Sequence, residues 1–197
     1  YLLVYINKKS KGVYRKKPYK KNLFIFGMAF GFGFYLIGIS WITNSLTFDE
    51  NFKVLIPFAL ILIPLFLSLF VGLVTLVIGP YLKLDFPSLI LFSASFAFSD
   101  YLRAIIFTGF PWNLWAYSTS SFNELLQIIN QIGLYSYNLF VISIFSFPII
   151  LFFKISKIQK LFCITITFLI VLSLFIYGNY KVNKNRNVIE NANEKIY

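Results

Sequence analysis

Five apolar runs, residues 23–42, 54–78, 86–108, 132–153 and 161–177, constrain this chain more than any other feature of its sequence. About 20 helical residues rising roughly 1.5 Å each cross the ~30 Å hydrocarbon core of a bilayer, and each run reaches or approaches that length. Within hydrocarbon a spanning backbone must pair its own N–H and C=O groups, so such a chain is helical or a closed barrel, and runs this long and continuously apolar are helices. The composition agrees, with 58% hydrophobic, 21% aromatic and only 13% charged residues, far from the soluble globular average. The predicted fold class is all-α: a polytopic transmembrane helical bundle over 23–178, with five complete spans. Residues 1–6, YLLVYI, are apolar but too short to cross and read as the end of an earlier span.

Charge supplies the orientation. The formal net charge is +11, and nearly half of the Lys and Arg lie between Lys8 and Lys21. That basic segment, 7–22, reads as a cytoplasmic loop facing anionic lipid rather than a nucleic-acid patch, because positive residues flanking spans set topology. Alternation then puts 43–53 outside, 79–85 inside, 108–117 outside, 154–160 inside and the tail from Gly178 outside. The inside loop carries Lys154, Lys157 and Lys160, and the outside loop carries Asp49 and Glu50, in agreement; Lys181, Lys184 and Arg186 in the tail lean the other way.

The chemistry available is narrow. The chain has no His and one Cys, Cys163, so no Ser/His triad, Cys/His pair or His/Cys metal cluster can be assembled, and no metal or cofactor is expected. Cys163 lies among Phe162, Ile164 and Ile166, where a thiol packs as a small hydrophobe and its thiolate is disfavoured.

Several local features stand out within this frame. Gly27 and Gly31 share a helical face at small-xxx-small spacing, which suits close helix packing. Pro64 should kink the second span, with a neighbouring helix or Ser68 taking the carbonyl it frees. Asp100 and Arg103 are the charged pair within an apolar run; at i and i+3 they can neutralise one another before Arg103 reaches toward the outer surface. Ionisable groups at this depth are functional candidates, with a purely structural ion pair as the competing reading. The stretch 108–117, TGFPWNLWAY, is an irregular aromatic loop, suited to the membrane surface where Trp and Tyr rings favour the headgroup layer. Ser121-Phe122-Asn123-Glu124 has the form of a capping box. Behind it, Phe122, Leu125, Leu126, Ile129 and Ile132 form one face of a short amphipathic helix ending near Gly133, or else the polar outer turns of the fourth span. The tail 179–197, rich in Asn and Lys, reads as a flexible linker.

Certain of these residues together resemble a known family. Ser99-Asp100-Tyr101-Leu102-Arg103, then Thr108-Gly109-Phe110-Pro111-Trp112-Asn113 and Ala116-Tyr117, are similar to the membrane part of apolipoprotein N-acyltransferases. Gly31-Phe32-Gly33-Phe34 continuing to Trp41-Ile42 resembles that family's Gly-rich span, and Gln127 to Tyr135, with Gly133, its Q-x5-G-x-Y segment. The likeness is spread over most of 30–138 in the family's order. Asp100 stands where Glu is commoner, shortening the reach, and Ala104 and Ala116 replace Gly.

The resemblance implies spans equivalent to the third to seventh of eight in a bacterial inner-membrane enzyme. Residues 179–197 would then be a periplasmic linker to a nitrilase-like domain that carries the family's catalytic Glu, Lys and Cys. None of those three can be placed on this sequence, Cys163 included, so this stretch is expected to be inactive alone. It further implies transfer of an acyl chain from a phospholipid, through a thioester, to the amino group of a diacylglyceryl-cysteine lipoprotein. Membrane lipids would be further partners, nucleic acid would not. Asp100, Arg103, Gly109, Phe110, Pro111, Trp112, Trp115 and Tyr117 are the candidates for a lipid entrance beneath the active site, with interfacial anchoring as the plainer role of the aromatics. Two other readings stay open on the residues alone: a transporter or permease segment, with Pro64, the glycines and Asp100/Arg103 along a substrate path, and a non-catalytic membrane anchor.

Overall fold

A computed structural model describes residues 1–13, 19–106, 111 and 113–193. They form helices and tight helical turns, with no strand among the described residues. Among the described residues, five helical stretches are long and apolar enough to cross a membrane: Lys20–Gly38, Glu50–Tyr81, Phe86–Ile106, Leu134–Phe152 and Lys157–Arg186. The all-α, five-span expectation therefore holds. The chain divides into two compact units, Tyr1–Asn113 and Leu114–Tyr197.

In the first unit, α1 (Leu2–Val13) is followed by α2 (Tyr19–Gly38), α3 (Ile56–Ile78) and α4 (Phe86–Ile106). Helix α1 runs on past Ile6, where a loop was expected to begin, and α2 gathers Lys20, Lys21 and Asn22 into a polar first turn ahead of its apolar run. Lys costs a helix little, so the charge that marks a loop does not by itself break one.

Helices α2 and α3 form the principal packing of this unit. A Cβ on Gly27 would strike the Thr75 hydroxyl, and one on Gly31 would lie 3.0 Å from the Val71 side chain and 3.1 Å from Ser68 Cα. The glycines thus bring the backbones together as their spacing predicts, and the buried Thr75 hydroxyl donates across the seam to the Leu23 carbonyl at 2.9 Å. Pro64 lies buried within α3. Ser68, expected to serve the carbonyl that Pro64 frees, donates instead to Leu65 at 2.6 Å; its short side chain reaches back only one tight turn.

Helix α2 ends at Gly38, four residues before its apolar run ends, because Ile39 leaves helical geometry at φ −120°, ψ 9°. The expected loop beyond it winds into two 3-10 segments, Ser40–Thr47 and Glu50–Leu55. The hydroxyls of Ser40, Thr43, Ser45 and Thr47 each donate to the carbonyl three residues back, and Asp49 accepts from the Asn51 amide at 2.9 Å. At the start of α4, Asp85 accepts from the Ser88 amide at 3.0 Å, and the Ser88 hydroxyl in turn accepts from the Lys83 amide at 2.8 Å.

The second unit comprises a 3-10 segment Trp115–Thr119, two single-turn helices α5 (Asn123–Leu126) and α6 (Ile129–Ile132), then α7 (Leu134–Ser146) and α8 (Lys157–Asn193). Two sequence expectations change here. No capping box forms, since Phe122 takes the N-cap of α5 and no side chain caps it. The amphipathic helix is instead a broken pair of turns, closed at Gly133, whose φ of +80° favours glycine. Helix α7 tightens into a 3-10 segment at Phe147–Phe152, where Pro148 supplies no amide.

Helix α8 carries on through the tail that was read as flexible. Gly178 does not end it; there the helix lies so close to the Glu124 carbonyl of α5 that a Cβ would overlap it. Almost none of the apolar stretch of α8 is buried within the protein. An apolar surface of that extent is untenable in water and ordinary in lipid.

Candidate functional site

The charged pair Asp100 and Arg103 is buried within the first unit. Arg103 sits in the last turn of α4, and one of its terminal nitrogens donates to Asp100 Oδ1 at 3.0 Å, the contact that i, i+3 spacing predicts. The other donates to the hydroxyl of Tyr35 on α2. The guanidinium carbon also stands 4.8 Å from the centre of the Tyr35 ring, a cation–π distance. Arg103 is 1% exposed and Tyr35 2%, so the arginine does not reach the surface as expected but turns inward, where Asp100 and Tyr35 take its two terminal nitrogens.

One turn beyond Tyr35 on the same helix, Gly38 receives Asn113. A Cβ at Gly38 would lie within the space of the Asn113 carboxamide. Asn113 has φ +42°, the one non-glycine in the left-handed region among the described residues, a conformation that Asn tolerates better than most. Tyr35 and Gly38 were not marked by the sequence as candidates; Tyr35 is one aromatic among many.

The second unit holds the rest of the aromatic stretch. Leu114 and Ala116 are each 1% exposed and pack with Tyr137 and Val141 of α7. The Ala116 amide donates to Asn138 Oδ1 at 3.0 Å, and Thr119 and Tyr137 share a hydroxyl bond of 2.8 Å. Asn138, fully buried, could have been suspected as a carboxamide inside an apolar run. Among the predicted residues, Trp115 is half-buried and meets Phe145 edge-on at 6.4 Å, while Tyr117 is 41% exposed. Burial, and then the neighbouring Tyr135, raise the Tyr117 phenol above its ordinary pKa. Pro111 is half-buried; Gly109, Phe110 and Trp112 lie outside the described residues. Cys163 is half-buried on α8.

The structure thus joins Asp100, Arg103, Tyr35, Gly38 and Asn113 in the first unit. It binds the Leu114–Thr119 turn to α7 in the second. These side chains can orient backbone and hold charge in a dry setting, but they contain no activated nucleophile.

Comparison with known proteins agrees with the family the sequence resembles. Residues 12–147 match the model of the apolipoprotein N-acyltransferase N-terminal domain. A protein named apolipoprotein N-acyltransferase from Brucella melitensis is 32% identical over 126 residues, 64% of this chain and 24% of its own length. One of that name from Rhizobium rhizogenes is 27% identical over 161 residues, 81% of this chain and 30% of its own. One from Rickettsia bellii is 35% identical over 119 residues, 60% of this chain and 24% of its own. The chain thus corresponds to about a quarter of the length of these relatives. No solved structure gives a significant match. With more than half of its residues matched to that one model, the chain belongs to the apolipoprotein N-acyltransferase family, through its N-terminal membrane domain.

Proposed function

We propose that this chain is the membrane domain of a bacterial inner-membrane enzyme that moves an acyl chain from a phospholipid to the amino group of a diacylglyceryl-cysteine lipoprotein. The observation that carries the reading is the family match over 12–147, joined to names shared by the relatives. In this reading a thiolate in a nitrilase-like domain attacks the ester carbonyl of the donor, releasing a lysophospholipid and leaving a thioester. The acceptor amine then attacks that thioester and the thiol departs. Both substrates are lipid-anchored, so the chemistry must be held at the membrane surface with lateral access for acyl chains. The work of this domain is placement.

Within it, Trp112, Trp115 and Tyr117, with Gly109, Phe110 and Pro111, form part of the floor or entrance under the active site, and Asp100 and Arg103 fix the helix end that leads to them. The tail beyond Gly178 lies on the periplasmic side. The test uses full-length protein in vesicles with a phospholipid bearing a labelled acyl chain and a diacylglyceryl-cysteine peptide. Wild type should form a labelled acyl-enzyme and pass the label to the peptide. Trp112→Ala and Arg103→Ala should each slow acyl-enzyme formation by about tenfold or more at normal expression, the scale on which misplacement acts. Wild-type rates in both would discard the entrance; absence of transfer by the wild type would discard the activity.

A further inference from the structure

Two contacts described above converge on a single turn of α2. Tyr35 receives Arg103, with its hydroxyl on one guanidinium nitrogen and its ring 4.8 Å from the guanidinium carbon. Phe34 meets the Tyr35 ring edge-on at 5.2 Å and so steadies it. Gly38, three residues on, receives Asn113, and only a residue without Cβ leaves room for that carboxamide. Three helical residues rise about 4.5 Å, so the chain leaves the last turn of α4 and returns at Asn113 to neighbouring places on one rigid helix.

We infer that the Tyr35–Gly38 turn of α2 is a two-point seat: Tyr35 and Gly38 act as positioning residues that hold Arg103 and Asn113 at a fixed separation. The physical logic is one of register. A chain stretch of this length closes its ends at an entropic cost that grows only slowly with length, but flexible closure would leave the ends at a loose separation. Here each end has a specific lock: a buried arginine held by Asp100 and Tyr35 at one, and a carboxamide in a glycine notch at the other. The left-handed backbone of Asn113 disfavours most other residues, and the glycine in α2 weakens that helix, so both residues are costly unless the notch is used. The kinetic consequence rests on the acyl-transfer reading above; the seat itself does not.

The two are separated by the choice of readouts in the full-length protein. First, Gly38→Cys with Asn113→Cys should form an intramolecular disulfide under mild oxidation, mapped by peptide mass spectrometry; failure to form it overturns the seat whatever the protein's activity. Second, Gly38→Ala should lower kcat for acyl transfer about tenfold with KM within about threefold, as misplacement rather than lost affinity requires. Adding Asn113→Gly, which removes the clashing carboxamide and accepts the positive φ, should restore kcat to within about threefold of wild type. Tyr35→Phe, which keeps the ring and loses the hydroxyl, should lower kcat about fivefold. Wild-type kcat in Gly38→Ala, or no recovery in the double variant, overturns the positioning role. A wild-type protein without transfer activity overturns that role and the acyl-transfer reading together, and the disulfide still decides the seat.

Discussion

A buried arginine in a membrane helix is costly, and Arg103 shows how this chain offsets the cost at both terminal nitrogens. Asp100 neutralises it at 3.0 Å, and Tyr35 offers both a hydroxyl and a ring face. Removing one partner leaves the other charge buried and uncompensated, which costs about 3–5 kcal/mol, whereas replacing both by apolar residues of similar volume is often neutral. Arg103→Met alone should therefore lower the thermal unfolding midpoint in detergent markedly, and Asp100→Leu with Arg103→Met should recover most of it. If acyl transfer stays lost in the stable double variant, the pair serves the site; if it returns, the pair serves the fold. The pairing was legible in the sequence because three residues of helix place both groups on one face. The Tyr35 contact was not, since its partner is 68 residues away in the chain and nothing in the local pattern of α2 distinguishes that tyrosine from its neighbours.

At the scale of the element, the ends of the helices departed from expectation more than their middles. Apolar length specifies that a segment is helical, while the residue that starts or stops it depends on which hydrogen bonds its ends can find. Ser121 and Glu124 have the spacing of a capping box and do not make one. Asp85, not singled out beforehand, caps α4 at the Ser88 amide, while the Ser88 hydroxyl takes the Lys83 amide. Hydrogen bonding by Ser88, aided by Lys83, holds the Asp85 carboxyl below its ordinary pKa. Because the folded-state value is depressed, the contribution of Asp85 is complete at neutral pH, where both folded and unfolded forms are ionised. It is lost as pH falls below the ordinary carboxylate range and through the depressed value. Asp85→Ala should cost about 1 kcal/mol at pH 7, typical of a lost N-cap, and the gap in unfolding midpoint between it and wild type should narrow as the pH is lowered through that range. A gap that stays constant with pH would mean that the carboxylate does not supply the cap.

At the scale of the whole molecule, orientation across the bilayer follows from charge rather than from packing. On the proposed orientation, Ser118 and Asn185 face the periplasm and Lys157 the cytoplasm. Single cysteines at these positions should label accordingly in intact cells with a membrane-impermeant maleimide: Ser118→Cys and Asn185→Cys readily, Lys157→Cys only after lysis. Labelling of Lys157→Cys from outside would reverse the orientation and remove the basis for an outward-facing site. Residue pattern was enough to specify the helical class, the five described helices long and apolar enough to cross a membrane, the close approach at Gly27 and Gly31 and the Asp100–Arg103 pair. All follow from hydrocarbon thickness and from neighbours within a turn or two of helix. The tertiary structure alone decided that Arg103 turns inward to Tyr35, that Gly38 makes room for Asn113, and that Asn138 holds the Ala116 amide from 22 residues away. Periodicity reports which face of a helix is apolar, but the partner of a buried polar group is chosen by whichever distant segment packing brings within reach.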